Sequence, residues 1–195
     1  VEQLIAAAES GDLAQMRRLL DGGTPVDARG RDGGTALLAA TRRDRLDAAR
    51  LLIARGADVD AQDAQRDSPF LEAGALGRLA ILRVILAAGP DLASTNRYGG
   101  TALIPAAHHG HVETVRELLR TTIAVDHVNR LGWTALLEAV ILGEGGASHQ
   151  EIVRLLLAAG ADPNRADAQG VTPLTHARQR GQDAIAAMLQ AAGGH

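Results

Sequence analysis

Cysteine and lysine are both missing from this sequence, and all twenty of its basic side chains are arginine. Without a thiol there is no disulfide, no thiolate zinc site and no cysteine nucleophile. Without lysine there is neither a Walker-type phosphate loop nor a lysine Schiff base. Aromatic residues are scarce as well, with one Trp, one Tyr and one Phe in 195 residues. A core that poor in rings is built from Leu, Ile, Val and Ala, which favours closely packed helices over a sandwich or barrel. No apolar run approaches the ~18 residues that span a bilayer, and the first residues lack the basic, apolar and small-residue succession of a signal peptide. The arginines are scattered among twenty-three acidic residues for a net charge of -3, which offers a polyanion no attractive field. Nucleic acid is therefore not expected as a partner, nor membrane insertion. The expected location is cytoplasmic, with export and removal of a leader as the alternative.

What the sequence does contain is a hydrophobic content of 46%, ample for a core, and a repeat. A hydroxyl residue opening an apolar helix recurs at Thr35, Ser68, Thr101, Thr134 and Thr172, with spacings of 33, 33, 33 and 38. The turn after the second helix falls at Gly23, Gly56, Gly89, Thr122, Gly160 and Gly193, with spacings of 33, 33, 33, 38 and 33. Both series place one five-residue insertion in the same repeat. In the last copy Thr172 is the predicted N-cap, Pro173 sits at the first helical position, and Gly181 breaks the first helix. The second helix carries Ile185, Met188 and Leu189 as an apolar stripe and ends near Gly193.

The stretches GGTALLAA, GGTALIPAAHHGH, GWTALLEAV and GVTPLTHARQRG, followed by ARLLIARGADVD or VRLLLAAGADPN, resemble the ankyrin repeat with its T-P-L-H-x-A signature and 33-residue period. The resemblance covers essentially the whole chain. It implies an all-α ankyrin-repeat solenoid of about six helix-turn-helix units, spanning 1–29, 30–62, 63–95, 96–128, 129–166 and 167–195, with β-hairpin-like fingers. Stacking is required because one helix pair cannot bury its own apolar face. A single domain is expected.

In the family, partners are contacted by the finger tips and by the outward side of the first helix. Carried over by position, the resemblance implies a partner-binding set of Arg97, Tyr98, Arg130, Leu131 and Trp133 on fingers, with His108, His109, Glu138, Ile141 and Leu142 on helices. Glu138 joins this set because a residue three or four positions earlier shares a helix face, as do Ala39, Glu72, Pro105 and His176 in the other copies. Trp133 either packs on the neighbouring finger or offers itself to a partner, and Ile141 and Leu142 are either exposed or covered by the inserted loop.

Other chemistries fit less well. His108, His109 and His111 suggest a metal, with Asp126, His127 and Glu138 as further ligands, but adjacent helical residues point about 100° apart and His111 occupies a structural position of the repeat. Glu72 and Glu138 lie two repeats apart, about 20 Å at ~10 Å per stacked helix, too far to share a scissile bond. No serine stands on a nucleophile elbow. The reading is a monomeric, non-catalytic module that binds a protein or peptide through repeats three to five, without cofactor or metal. The alternatives are a small-molecule or metal-binding protein using the His/Glu side of the groove, or a self-assembling structural protein.

Three departures from the pattern are expected to alter turns. Thr122 replaces a C-terminal glycine, Arg66 a finger glycine and Asp44 an inter-helix glycine, while Pro105 falls in the first turn of its helix. The insertion GEGGAS, 143–148, reads as a surface loop joining two helices. Deleting 143–147 restores the 33-residue spacing and is expected to leave a folded, strongly helical protein by circular dichroism; loss of the helical spectrum would make the insertion part of the scaffold.

Overall fold

The computed structural model describes Val1–His195 as twelve helices and no strands. The helices are α1 (Glu2–Ser10), α2 (Leu13–Asp21), α3 (Ala36–Arg42), α4 (Leu46–Ala54), α5 (Pro69–Ala75), α6 (Leu79–Ala87), α7 (Leu103–His108), α8 (Val112–Leu118), α9 (Ala135–Ile141), α10 (Ala147–Ala158), α11 (Pro173–Gln179) and α12 (Asp183–Ala191). They form two compact units, Val1–Arg97 and Tyr98–His195. Each unit has two layers. In the N-terminal unit α1, α3 and α5 pack in sequence, as do α2, α4 and α6; in the C-terminal unit the layers are α7, α9 and α11, and α8, α10 and α12.

Helices of seven residues are far too short to be stable alone, so packing on neighbours must hold them. In α3, with α1 on one side and α5 on the other, every residue from Ala36 to Thr41 is buried. The same holds for Ala135 to Val140 of α9 between α7 and α11. Alanine at Ala36, Ala40, Ala73, Ala106, Ala135, Ala139 and Ala177 lets backbones approach closely, and leucine and isoleucine fill the remaining volume. The single Phe, Phe70, is fully buried.

Four of the five expected hydroxyl caps form. Thr35, Ser68, Thr134 and Thr172 accept from the backbone N–H three residues on, at 3.2–3.3 Å. Thr101 does not, and its buried Oγ1 has no partner. The cause is Pro105. In the other copies the carbonyl of the capping residue accepts from the N–H four residues on, as in Glu138 to Thr134 at 2.9 Å. Proline has no such N–H, and α7 opens instead on a tighter bond from Ile104 N to Thr101 O at 3.2 Å.

The turns show how each departure is absorbed. After α4 and α10, Gly56 and Gly160 take positive φ and the next N–H reaches back to the helix, Ala57 to Leu52 O and Ala161 to Leu156 O, both at 3.0 Å. At Thr122 the chain avoids the left-handed region. Helix α8 stops at Leu118, the Thr121 hydroxyl donates to Leu118 O at 2.6 Å, and it accepts from Ile123 N at 3.2 Å. A side chain thus replaces the missing backbone bond. Arg66 and Asp44 instead adopt the glycine conformation, at φ 62 and φ 57. The fingers are tight turns without a strand ladder, closed by bonds such as Asn129 N to Trp133 O at 3.0 Å.

The insertion differs from the expected loop. Ala147, Ser148 and His149 already belong to α10, which has twelve residues against nine in α4, α6 and α12. Only the stretch before them is loop, and it is packed: a Cβ on Gly143 would lie 2.1 Å from Ala139 O and 2.4 Å from the His149 ring. Gln182 donates from Nε2 to Val140 O and Gly143 O, at 3.1 and 3.3 Å. Similar side chains stitch neighbouring repeats elsewhere, with Arg45 Nε donating to Glu9 O at 2.9 Å and Arg78 Nη2 to Arg42 O at 3.2 Å.

The contrast between caps is testable. Thr134→Val removes a made cap and is expected to cost about 1 kcal/mol or more, whereas Thr101→Val replaces an unpartnered buried hydroxyl by a methyl and should stay within about 0.5 kcal/mol of the parent, or gain. Equal losses in denaturant titrations would show that Thr101 has a partner after all.

Candidate functional site

The predicted contact residues separate by burial. Tyr98, Leu131 and Leu142 are 55%, 53% and 41% exposed, among the few large hydrophobic side chains left open to water. His109 and Arg130 are exposed as well. Arg97 is exposed on the N-terminal unit, where its Nη1 donates to Gln65 Oε1 at 3.0 Å. Trp133, His108 and Ile141 are half-buried. Leu142 is therefore not covered by the inserted loop. Glu138 departs most from expectation: only 7% of it is exposed, so it does not offer its carboxylate to solvent or to a partner's surface.

The reason lies in the finger that precedes α9. Asn129 closes this finger by accepting from Leu131 N and Trp133 N through Oδ1, at 3.0 and 3.1 Å. Its Nδ2 then donates to Glu138 Oε1 at 2.8 Å. The other carboxylate oxygen, Oε2, lies 3.5 Å from His108 Nδ1. A continuous polar chain thus runs from the backbone carrying Leu131 and Trp133, through Asn129 and Glu138, to a histidine on α7. The same plan returns nine residues apart in the last repeat, where Asp167 accepts from Gln169 N and Val171 N and from His176 Nε2 at 2.7 Å. In the third repeat Asp63 and Glu72 hold the equivalent places, and Arg42 joins them with bonds of 2.9 Å to each. Asn129, Asp63 and Asp167 are absent from the residues expected from the sequence, although the nine-residue spacing of a finger Asx and a polar helix residue carries a signal for these ties.

The histidines also differ from expectation. His108 and His109 do not diverge: their rings stack with centroids 4.3 Å apart and planes at 14°. Side-chain rotation overrides the 100° backbone angle. His149 Nε2 bonds His108 O at 2.8 Å, and His127 Nε2 bonds Gly99 O at 2.7 Å. Asp126 accepts from Asp162 N at 3.1 and 3.2 Å. The candidate ligands are thus engaged separately, and no group of three or more His, Cys, Asp or Glu side chains comes together as a metal site would require. A shallow cavity of about 230 Å³ lies between His109, Glu144, Ser148 and His149.

Burial pushes the Glu138 carboxyl from its ordinary 4.5 up to about 7, and the Asn129 amide opposes this only in part. Burial, followed by the neighbouring His109 and His149, pushes His108 below its ordinary 6.5. Both groups are shifted toward their neutral forms, so the 3.5 Å contact is a polar contact of weakly charged groups rather than a strong ion pair. Because the folded state holds a proton on Glu138 that the unfolded state releases, this residue contributes stability that is full below about 4.5 and is lost as pH rises through about 7. His108 acts in the opposite sense below 6.5, where the unfolded state binds the proton more readily.

The family model described as ankyrin repeats (3 copies) matches residues 3–63 and 70–167. An ankyrin repeat domain from Acinetobacter baumannii AYE has a solved structure with 56% sequence identity, covering 98% of each chain with a TM-score of 0.95. The ankyrin repeat protein EF0377 is 41% identical over 97% of each chain, with a TM-score of 0.93. The ankyrin repeat domain of Bcl-3, a member of the IκB protein family, is 28% identical over 99% of this chain and 86% of that one, with a TM-score of 0.88. Among curated proteins, Escherichia coli K12 YahD, named as an ankyrin repeat protein, is 52% identical over 56 residues, which are 29% of this chain and 28% of YahD.

The shift at Glu138 sets a stability difference that one substitution isolates. Glu138→Gln keeps the acceptor for Asn129 and removes the charge, so it is expected to stabilise the protein above pH 7.5 by on the order of 1–3 kcal/mol and to match the parent near pH 4.5. The His108 contribution is common to both proteins and largely cancels. Parallel stability curves for the two across this range would show that Glu138 is not perturbed.

Proposed function

Because the chain belongs to the ankyrin-repeat family, whose fold serves in general as a protein–protein interaction module and a non-catalytic scaffold, we propose that it is a monomeric module binding a partner protein or peptide through the fingers and first helices of its fourth and fifth repeats. The observation that carries this reading is the exposure of Tyr98, Leu131 and Leu142, at 55%, 53% and 41%. Large apolar side chains in water gain nothing for the free protein and supply the buried centre of an interface once a partner covers them. Arg130 N donates to Tyr98 O at 2.9 Å, which ties the two fingers that carry Tyr98 and Leu131. Residues held on such rigid elements lose little freedom on binding.

Trp133 and Glu138 take supporting roles in this reading. Trp133 is half-buried and its backbone is closed onto Asn129, so it fixes the finger as well as lining the surface. An enzyme would need titratable groups converging on a closed pocket. The reading rests instead on exposed apolar side chains.

Binding and stability are expected to separate. The variant Tyr98→Ala/Leu131→Ala/Leu142→Ala should keep its unfolding free energy within about 1 kcal/mol of the parent and lose at least about tenfold in affinity for a partner captured from the native cells. Trp133→Ala should lower stability by about 1–3 kcal/mol as well as binding. Undiminished capture by the triple variant would place the partner surface elsewhere.

A further inference from the structure

The chain of polar contacts from Asn129 through Glu138 to His108 has its roles fixed at one end and open at the other. The backbone orients the Asn129 amide: Oδ1 accepts from Leu131 N and Trp133 N, so the group turned to Glu138 is the Nδ2 donor. Glu138 Oε1, at 2.8 Å from Nδ2, therefore accepts whatever the charge of the carboxyl. Any proton on Glu138 is left for Oε2, which lies 3.5 Å from His108 Nδ1. With Glu138 only 7% exposed, water has little part in this arrangement.

A protonated Oε2 donates to Nδ1, which must then be bare, and the imidazole carries its hydrogen on Nε2. An ionised Oε2 accepts from Nδ1–H instead, and Nε2 is bare. His108 Nε2 makes no hydrogen bond within the protein, and 34% of the side chain is open to water. We propose that Glu138 is a proton switch for His108, its protonation deciding whether the imidazole offers a partner a donor or an acceptor through Nε2. Resting on the interaction reading above, this gives the buried Glu138 a positioning role behind a contact residue.

The surroundings place the proton of the pair on the carboxyl. Burial lifts Glu138 to about 7 against the pull of the Asn129 amide, while burial, then His109 and His149, lower His108 below 6.5. The charged and titratable groups on the packed elements are engaged elsewhere or open to water. On α7 and its C-cap, His109 stacks on the His108 ring. From α10, His149 bonds His108 O at 2.8 Å and Glu151 is paired with Arg116 and Arg154. From α11, Arg180 donates to Ile141 O and His176 bonds Asp167. Arg130 on the finger and Glu144 on the loop after α9 are exposed, and His127 before the finger bonds Gly99 O.

The last repeat shows the same plan with no switch. Both ring nitrogens of His176 are engaged, Nε2 with Asp167 at 2.7 Å and Nδ1 with Arg180 Nη1 at 3.4 Å. Burial raises the Asp167 carboxyl, but hydrogen bonds from Val171, His176 and Gln169 outweigh it and hold it below its ordinary value. An ionised acid on one nitrogen and an arginine donor on the other allow the neutral ring one tautomer. His108 has neither constraint, because its acid gains and loses a proton near neutrality and no arginine meets its Nε2.

The test records long-range ¹H–¹⁵N spectra of the histidine rings in the uniformly labelled full chain between about pH 6.5 and about pH 8.5, the range in which the pair titrates. The His108 signals are assigned by their loss in His108→Gln. The parent is expected to hold His108 as the neutral Nε2–H form at the lower end and to convert it to Nδ1–H with a midpoint of about 7. Glu138→Gln keeps a donor facing Nδ1 at every pH and is expected to stay Nε2–H throughout. A His108 that keeps one tautomer across this range in the parent, or that converts equally in Glu138→Gln, would overturn the switch. So would an imidazolium persisting up to about pH 7, because the proton would then sit on the histidine. The parent titration decides by itself should Glu138→Gln fail to fold. These spectra need no partner, so their failure leaves the docking surface to be judged by capture with the Tyr98→Ala/Leu131→Ala/Leu142→Ala variant.

Discussion

Everything in this protein depends on short helices that cannot bury their apolar sides except against one another. A seven-residue helix contributes about 10 Å of length and too few internal hydrogen bonds to persist in water. Stacked between neighbours, α3 and α9 bury every residue from the first to the sixth. The near absence of aromatic side chains follows from the same constraint, since alanine at the contact line lets helices approach and large rings would hold them apart. Helix α11, which packs on α9 and α12, buries only Pro173, Leu174 and Ala177.

Stacking also decides where polar groups are placed. The carbonyls at the ends of the first helices need donors, and side chains from the next repeat supply them: Arg45 to Glu9, Arg78 to Arg42, His149 to His108 and Gln182 to Val140. Four different contacts made by three residue types fill one geometric role. Where a repeat departs from the pattern, a local substitute appears, as with the Thr121 hydroxyl that closes the turn Thr122 cannot close by itself. The polar chain from the Asn129 finger to His108 belongs to the same class of contact, and it couples the backbone bearing Leu131 to α7.

Much of this was legible in the residues. The 33-residue spacing and its single break located the repeats, because the period reflects one stacked unit, and four of the five hydroxyl caps stand where the spacing places them. Thr101 escaped because its failure depends on Pro105, four residues away and across a turn. Glu138 escaped for a different reason: helical phase places it on the outward side, but the finger carrying Asn129 folds over it, and phase alone does not report what a loop covers. The stacking of His108 and His109 is likewise a matter of rotamers, which spacing does not set. The insertion was visible as an interruption of the period, yet its lengthening of α10 and its packing under Gln182 depend on contacts between repeats.

The central claim is that the surface carrying Tyr98, Leu131 and Leu142 is where a partner docks. Amide hydrogen exchange on the complex with the captured partner tests it most directly. The account predicts slowed exchange in peptides covering residues 130–133 and 141–146, with α8 and α12 unchanged. Protection confined to α8, α10 and α12, with the fingers exchanging as in the free protein, would contradict it.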